Sequence, residues 1–360
     1  MKLRYLFALL AIATVLGFYS CEKDDDEPPE SNVFSRLYIS YSNYNPNTSA
    51  TKFNNVVLLP FSDDSLMSKG AAPSLTDAKG GRSIYFNPSA QLVFQSSNYA
   101  LEADTFINKM TIGLTGGLSN SGRISHRFLN NVRGMVFHPS LDKLYAINIK
   151  PDTSRFYVLD RPRGLTTFHK PGQTYQFKND NEYWDVTIVK SSLVVSKSGT
   201  NGGVEIYDNL IVSRDSTINS VDPSKILTVE NSSNIQGMSV DTVNNMLALT
   251  DYVQQGTATN PTYVGRILIF DDYNAISQAS GTIKPSRIIE GVSTKLLQPV
   301  DVELDFRKES KYLYVADPVS KAVYRFLKSD NGNVAPNATY TYSQSGIMFS
   351  PMGISLDARN

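Results

Sequence analysis

Cysteine occurs once in these 360 residues, at Cys21, and tryptophan once, at Trp184. A lone cysteine has no partner in the chain, so no internal disulfide framework supports the fold. Three histidines, His126, His138 and His169, lack the close spacing of a zinc-binding helix. A charge surplus is also missing: 34 Lys and Arg face 34 Asp and Glu. Without Lys2 and Arg4 the balance is 32 to 34, a net of −2. Such a chain cannot neutralise a phosphate backbone, which argues against a nucleic-acid partner. "GLTGGLSNSG" has no lysine or following helix to cradle a phosphate, and no Gly-x-Ser-x-Gly elbow occurs. With no catalytic set in view, the chain reads as leaning away from enzymes.

What is present begins with an address. Lys2 and Arg4 precede an apolar run of thirteen residues, Leu6 to Phe18, too short to span a bilayer. "YSCEKDDDEPPE" follows. It resembles a bacterial lipoprotein signal in which Cys21 is lipidated, and its acidic run resembles the export tag of Bacteroidota-type surface lipoproteins. Phe18 stands where such signals more often carry Leu. The resemblance implies a signal peptide over 1–20, a lipidated and flexible acidic tether over 21–35, and an outer-membrane protein exposed on the cell surface. The remaining residues, 36–360, are expected to form one domain.

That domain repeats. Five stretches share a pattern of alternating strand, polar turn and second strand: "GRSIYFNPSAQLVFQSS", "RGMVFHPSLDKLYAIN", "YWDVTIVKSSLVVSKS", "QGMSVDTVNNMLALTD" and "VDVELDFRKESKYLYVAD". The last large apolar residues of their first strands are Phe86, Phe137, Ile188, Val240 and Leu304, at steps of 51, 51, 52 and 64. Leu356 of the closing "GISLDA" lies another 52 on. Third strands such as Arg155–Leu159 follow, and fourth strands are expected at Ser74–Ala78, Arg123–Leu129, Thr174–Phe177, Lys225–Glu230, Ser286–Gly291 and Thr339–Ser343. Four short strands every fifty residues or so predict an all-β, six-bladed β-propeller. Its last strand, at Leu356, has no second strand after it, whereas "RLYISYS" (Arg36–Ser42) lacks a first. The two ends are therefore expected to share one blade, which leaves no open sheet edge. The excess of about 12 residues falls in "DYVQQGTATNPTYVG", read as a polar loop.

"QPVDVELDFRKESKYLYVADPVSKAVYRF", Gln298–Phe326, resembles the NHL-type propeller repeat, which the other stretches match more loosely. Proteins of that group range from binding scaffolds to lactonases, so the likeness implies a fold and leaves the function to the site. Asp241, Asp305 and Asp357 end first strands, where a short polar side chain hydrogen-bonds the turn backbone. Asn98, Asn148, Asp251 and Asp317 end second strands, on the face that surrounds the channel mouth, the default binding region of a propeller. The blade connections add Arg82, Arg133, Tyr183, Trp184, Gln236 and Gln298 to that face. Tyr183 and Trp184 form an aromatic pair suited to a sugar ring or a protein anchor.

The expectation is a lipid-anchored, monomeric cell-surface propeller that acts as a binding or scaffold module for a protein or glycan partner. It needs no cofactor. The alternative is a calcium-dependent lactonase or hydrolase in which Asn98, Asn148, Asp251 and Asp317 supply oxygens to Ca2+. The Glu-Gly-Pro-Trp-like stretch of the gluconolactonase-like propellers it would resemble is absent.

Overall fold

Strands buried on both faces read as continuous apolar runs, and the second strands of this chain do so. In Lys143–Ile149 (KLYAINI) and Tyr312–Asp317 (YLYVAD) every residue after the first is buried. The first strand Asp301–Leu304 alternates instead. The difference follows from position. A computed structural model, which describes residues 34–47, 52–98, 104–149, 154–177, 182–213, 216–257 and 259–359, forms six antiparallel blades around a common axis. Cys21 and the expected signal segment lie outside the described residues.

Five blades follow one another in the chain, each starting with its innermost strand. Blade two holds Gly81–Asn87, Leu92–Ser97, Phe106–Ile112 and Leu118–Ser125. Blade three begins with Val132–His138, blade four with Tyr183–Val189, blade five with Met238–Asp241 and blade six with Asp301–Leu304. Blade one is shared: Pro351–Arg359 lies beside Phe34–Tyr41, followed outward by Val56–Leu59 and Ala72–Ser74. At that seam the Ser42 amide donates to the Ser350 carbonyl at 3.0 Å, and the Ser350 amide to Asn43 Oδ1 at 2.8 Å.

Each of six buried apolar clusters sits between two neighbouring blades. Phe94 of blade two packs on Phe137 of blade three with centroids 6.5 Å apart. The cluster of Leu37, Ile39 and Val57 with Tyr314 and Val323 joins blades one and six, so the ring closes by side-chain burial as well as by strand pairing. Burial of each such side chain contributes about 1.5–3 kcal/mol.

Turns after first strands are capped as the sequence suggests. Asp241 Oδ1 accepts from the amides of Val243 and Asn244 at 3.0 and 2.9 Å, and Asn87 Oδ1 from that of Ala90 at 2.8 Å.

Four details depart from the sequence reading. Blade one's outer strand is Ala72–Ser74, where Ser74–Ala78 was expected, because its pairing with Val56–Leu58 runs only from Ala72 to Ser74. Blade two's fourth strand is Leu118–Ser125, because the chain turns at His126, whose carbonyl accepts from Leu129. The excess residues form no loop: Met246–Thr257 and Asn260–Phe270 continue as a paired hairpin out to Thr257 and Asn260. Finally, connections between third and fourth strands reach back to the preceding blade. Thr217–Val221 pairs in parallel with the outer strand of blade three, and Gly281–Ile283 with that of blade four. Phe168 and Gly332 make single bridges of the same kind. These straps cover outer edges that would otherwise invite pairing with another chain.

Candidate functional site

The innermost strands carry the site, and the repeat register shows how. Count back from the aligned residues Phe86, Phe137, Ile188, Val240, Leu304 and Leu356. The third residue before them is Ser83, Gly134, Asp185, Gly237, Asp301 and Gly353, so glycine alternates with a side chain around the axis. A Cβ on Gly237 would stand 2.4 Å from Asp301 Cα, one on Gly134 2.9 Å from Asp185 Cα, and one on Gly353 2.4 Å from the Arg82 carbonyl. Inner strands touch backbone to backbone at every second junction, and only glycine permits this.

The non-glycine members satisfy the inner edge. Asp185 Oδ2 accepts from the Met238 amide of the next blade at 3.1 Å, and Asp301 Oδ2 from Ile354 at 2.8 Å. One layer on, Ser355 Oγ accepts from Phe86 at 2.9 Å and Ser239 Oγ from Leu304 at 3.1 Å. Glu303 joins this layer through Ser239, 3.4 Å away. Burial raises the proton affinity of all three acids, and Asp185 adds charge repulsion at Asp301 and Glu303. The Glu303 carboxyl is pushed up to about 8.

Above this layer lies the mouth. The fourth residue before the aligned position is Arg82, Arg133, Trp184 and Gln236 in blades two to five, and the sixth is Asn131, Glu182 and Asn234 in blades three to five. Residues two apart on a strand share a face. With Ile149 and Tyr252 from second strands and Ser198 and Gly199 from the loop after another, Asn131, Arg133, Glu182, Trp184, Asn234 and Gln236 line a cleft of about 490 Å3. Tyr252 stands at the base of the extended hairpin, so the insertion supplies one wall.

Two guanidiniums meet one ring there. Arg133 Cζ lies 4.4 Å and Arg82 Cζ 5.4 Å from the Trp184 centroid, and Arg82 Nη1 donates to Asn131 Oδ1 at 2.6 Å. Burial lowers both groups, with Arg82 brought to about 9 by the added charge of Arg133 and Arg133 to about 10. Among the described residues neither guanidinium is in a salt bridge, although Glu182 lines the same cleft. Two other arginines are paired with carboxylates, Arg266 with Asp251 at 2.7 Å and Arg307 with Asp305 at 2.5 Å, whereas the buried Arg325 is held by carbonyl oxygens. Arg133 Nε and Gln236 Oε1 are buried without a hydrogen-bond partner.

The ring of second-strand ends has a different job. Asp251 is fully buried and its carboxylate accepts from the amides of Ser233 and Asn234, at 3.2 and 2.5 Å from Oδ1. Asp317 Oδ2 accepts from Leu297 and Gln298 at 2.6 and 3.0 Å, and Asn148 Oδ1 from Asn131 at 2.8 Å. In blade two the Asn98 amide donates to the Gly80 carbonyl at 2.6 Å. Each residue fastens the start of its own blade's first strand, which positions Asn131 and Asn234 in the cleft. Among the described residues no group of three His, Cys, Asp or Glu side chains could hold a metal ion.

Of the expected mouth residues, Arg82, Arg133 and Trp184 come together. Tyr183 does not join them. It is buried between strands, stacks on Phe177 at 4.1 Å, and its hydroxyl donates to Glu205 Oε2 at 2.5 Å. Adjacent residues on a strand face opposite ways, so Tyr183 and Trp184 could not both point into the cleft. Asn131, Glu182 and Asn234 were missed, although their six-residue offset from the aligned apolar position was readable in the repeat.

No family model matches the chain, and no curated protein does either. Solved structures share the architecture. A chain of a nidogen/laminin complex aligns with a TM-score of 0.54 at 13% identity, over 89% of this chain and 98% of that one. A functionally unknown protein from Desulfotomaculum acetoxidans aligns with a TM-score of 0.53 at 9% identity, over 91% and 100%. These likenesses speak to the fold.

Proposed function

We propose that this propeller is a lipid-anchored binding module of the bacterial outer membrane, exposed on the cell surface, and that it engages a protein or glycan partner through the cleft at its channel mouth. The carrying observation is the pair of half-buried guanidiniums on Trp184 at a concave surface, neither of them in a salt bridge with another described residue. Proteins seldom bury charge without a partner unless something else supplies one. The anchor rests on Lys2, Arg4, the run Leu6–Phe18, Cys21 and the acidic tether, and the NHL-like repeat adds the precedent of propeller scaffolds. The shared fold with a chain of a nidogen/laminin complex is compatible with partner binding.

The test is a glycan array together with a pull-down from the native outer membrane, using the full chain and its Arg133→Glu variant. At least one ligand should be retained by the parent and lost by the variant at an unchanged melting temperature. Ligands bound equally by both would place the contact elsewhere.

A further inference from the structure

The cleft specifies more than a partner. It is lined by the side-chain amides of Asn131, Asn234 and Gln236, with Ile149 as its one aliphatic side chain. Protein interfaces concentrate aromatic and apolar side chains at their buried centres. An amide offers both a donor and an acceptor, the combination that neighbouring hydroxyls require.

Two atoms ask for opposite things. Arg133 Nε is a buried donor without an acceptor, and Gln236 Oε1 is a buried acceptor without a donor. A guanidinium lying over an aromatic face keeps its hydrogen-bonding edge free, and that edge matches a planar carboxylate. A carboxylate cannot satisfy Gln236, but a hydroxyl can. An anion that meets the half-exposed Arg133 guanidinium, carried with an O–H donor for the lining amides on one compact frame, suits both demands.

Resting on the binding reading above, we infer that the cleft binds an acidic saccharide, with the carboxylate of a uronic acid residue on Arg133 and a ring hydroxyl donating to Gln236. Arg82 adds positive field and, through its bond to Asn131, orients that amide. Glu182, at the exposed rim, disfavours a second anionic group on its side.

Trp184 is the only tryptophan, so its fluorescence reports on this cleft alone. The full chain in detergent is titrated with oligogalacturonate, its methyl ester, dextran sulfate and poly-glutamate. Oligogalacturonate should change the emission saturably, and its ester should bind about tenfold more weakly or worse. Arg133→Gln should cost about tenfold in affinity for the acid and leave the ester unchanged, and Gln236→Leu should weaken both. Circular dichroism melting checks each variant. If Arg133→Gln misfolds, the comparison of acid with ester in the parent still decides.

Equal binding of acid and ester overturns the inference, as does a preference for dextran sulfate or poly-glutamate. No response to oligogalacturonate, alongside an array or pull-down ligand lost in Arg133→Glu, would overturn the saccharide and keep the binding module. Absence of any ligand that depends on Arg133 would remove both.

Discussion

Glu303 lies in the channel with Asp185 and Asp301, and no lysine or arginine appears among the groups that shift it. Its folded carboxyl holds a proton more tightly than the unfolded one, because burial and Asp185 oppose its charge. Between the ordinary value of 4.5 and the folded value of about 8, the native state binds more protons than the unfolded state. Stability therefore falls as pH rises through that window. Glu303→Gln should match the parent near about pH 4 and exceed it by roughly 1–3 kcal/mol near pH 8, measured by urea unfolding at both values. A variant no more stable than its parent near pH 8 would mean that Glu303 ionises without penalty. Gly237 gives a second check at this scale. Since an added Cβ would meet Asp301 Cα at 2.4 Å, Gly237→Ala should destabilise by about 1–3 kcal/mol, read from the same unfolding curves.

Straps and seams are where elements, more than single residues, carry the fold. Arg325 is 2% exposed, and its Nη1 donates to the carbonyls of Ser62 and Asp64 at 2.5 and 2.7 Å, clamping blade one's connection onto blade six. Its Nε reaches Asn337 Oδ1 at 2.9 Å. Arg325→Met should cost about 2–4 kcal/mol by leaving those carbonyls unpaired, and hydrogen exchange should rise in 60–71 before the rest. By contrast, removing Gln254–Pro261 shortens a largely exposed hairpin and should leave the melting temperature nearly unchanged.

These elements also mark what could be read in advance. First and second strands were legible because each pairs with its neighbour in sequence and repeats at 51 or 52 residues, with a single step of 64. The straps were not. Gly281–Ile283 is three residues long and pairs with blade four's Lys225–Val229, which no local pattern announces. Arg82, Arg133 and Trp184 were found from the connections, whereas Tyr183 was misplaced because adjacency in sequence was taken for a common direction. The roles of Asp251 and Asp317 depend on amides seventeen to twenty residues away. Their position was legible and their bonding was not.

For the molecule as a whole, closure is the property to test. Six apolar junctions hold six blades, so every blade is supported on two sides. A chain ending before Pro351 would lose the inner strand of blade one and expose Leu37, Ile39 and the inner edge of Phe34–Tyr41. Its unfolding should lose cooperativity, with broader melting and early proteolysis near blade one; a single sharp transition at the parent's temperature would show that the ring closes without its final strand.

Strand Phe34–Tyr41, the first of the described strands in chain order, lies between two others rather than at a rim. A pull on the chain from its N-terminal side would run lengthwise along that strand and load the rungs on both flanks together, so the assembly would yield by shear and resist being unzipped. If the proposed anchor holds the protein by that end, drag on a bound partner would be borne by its best-braced segment.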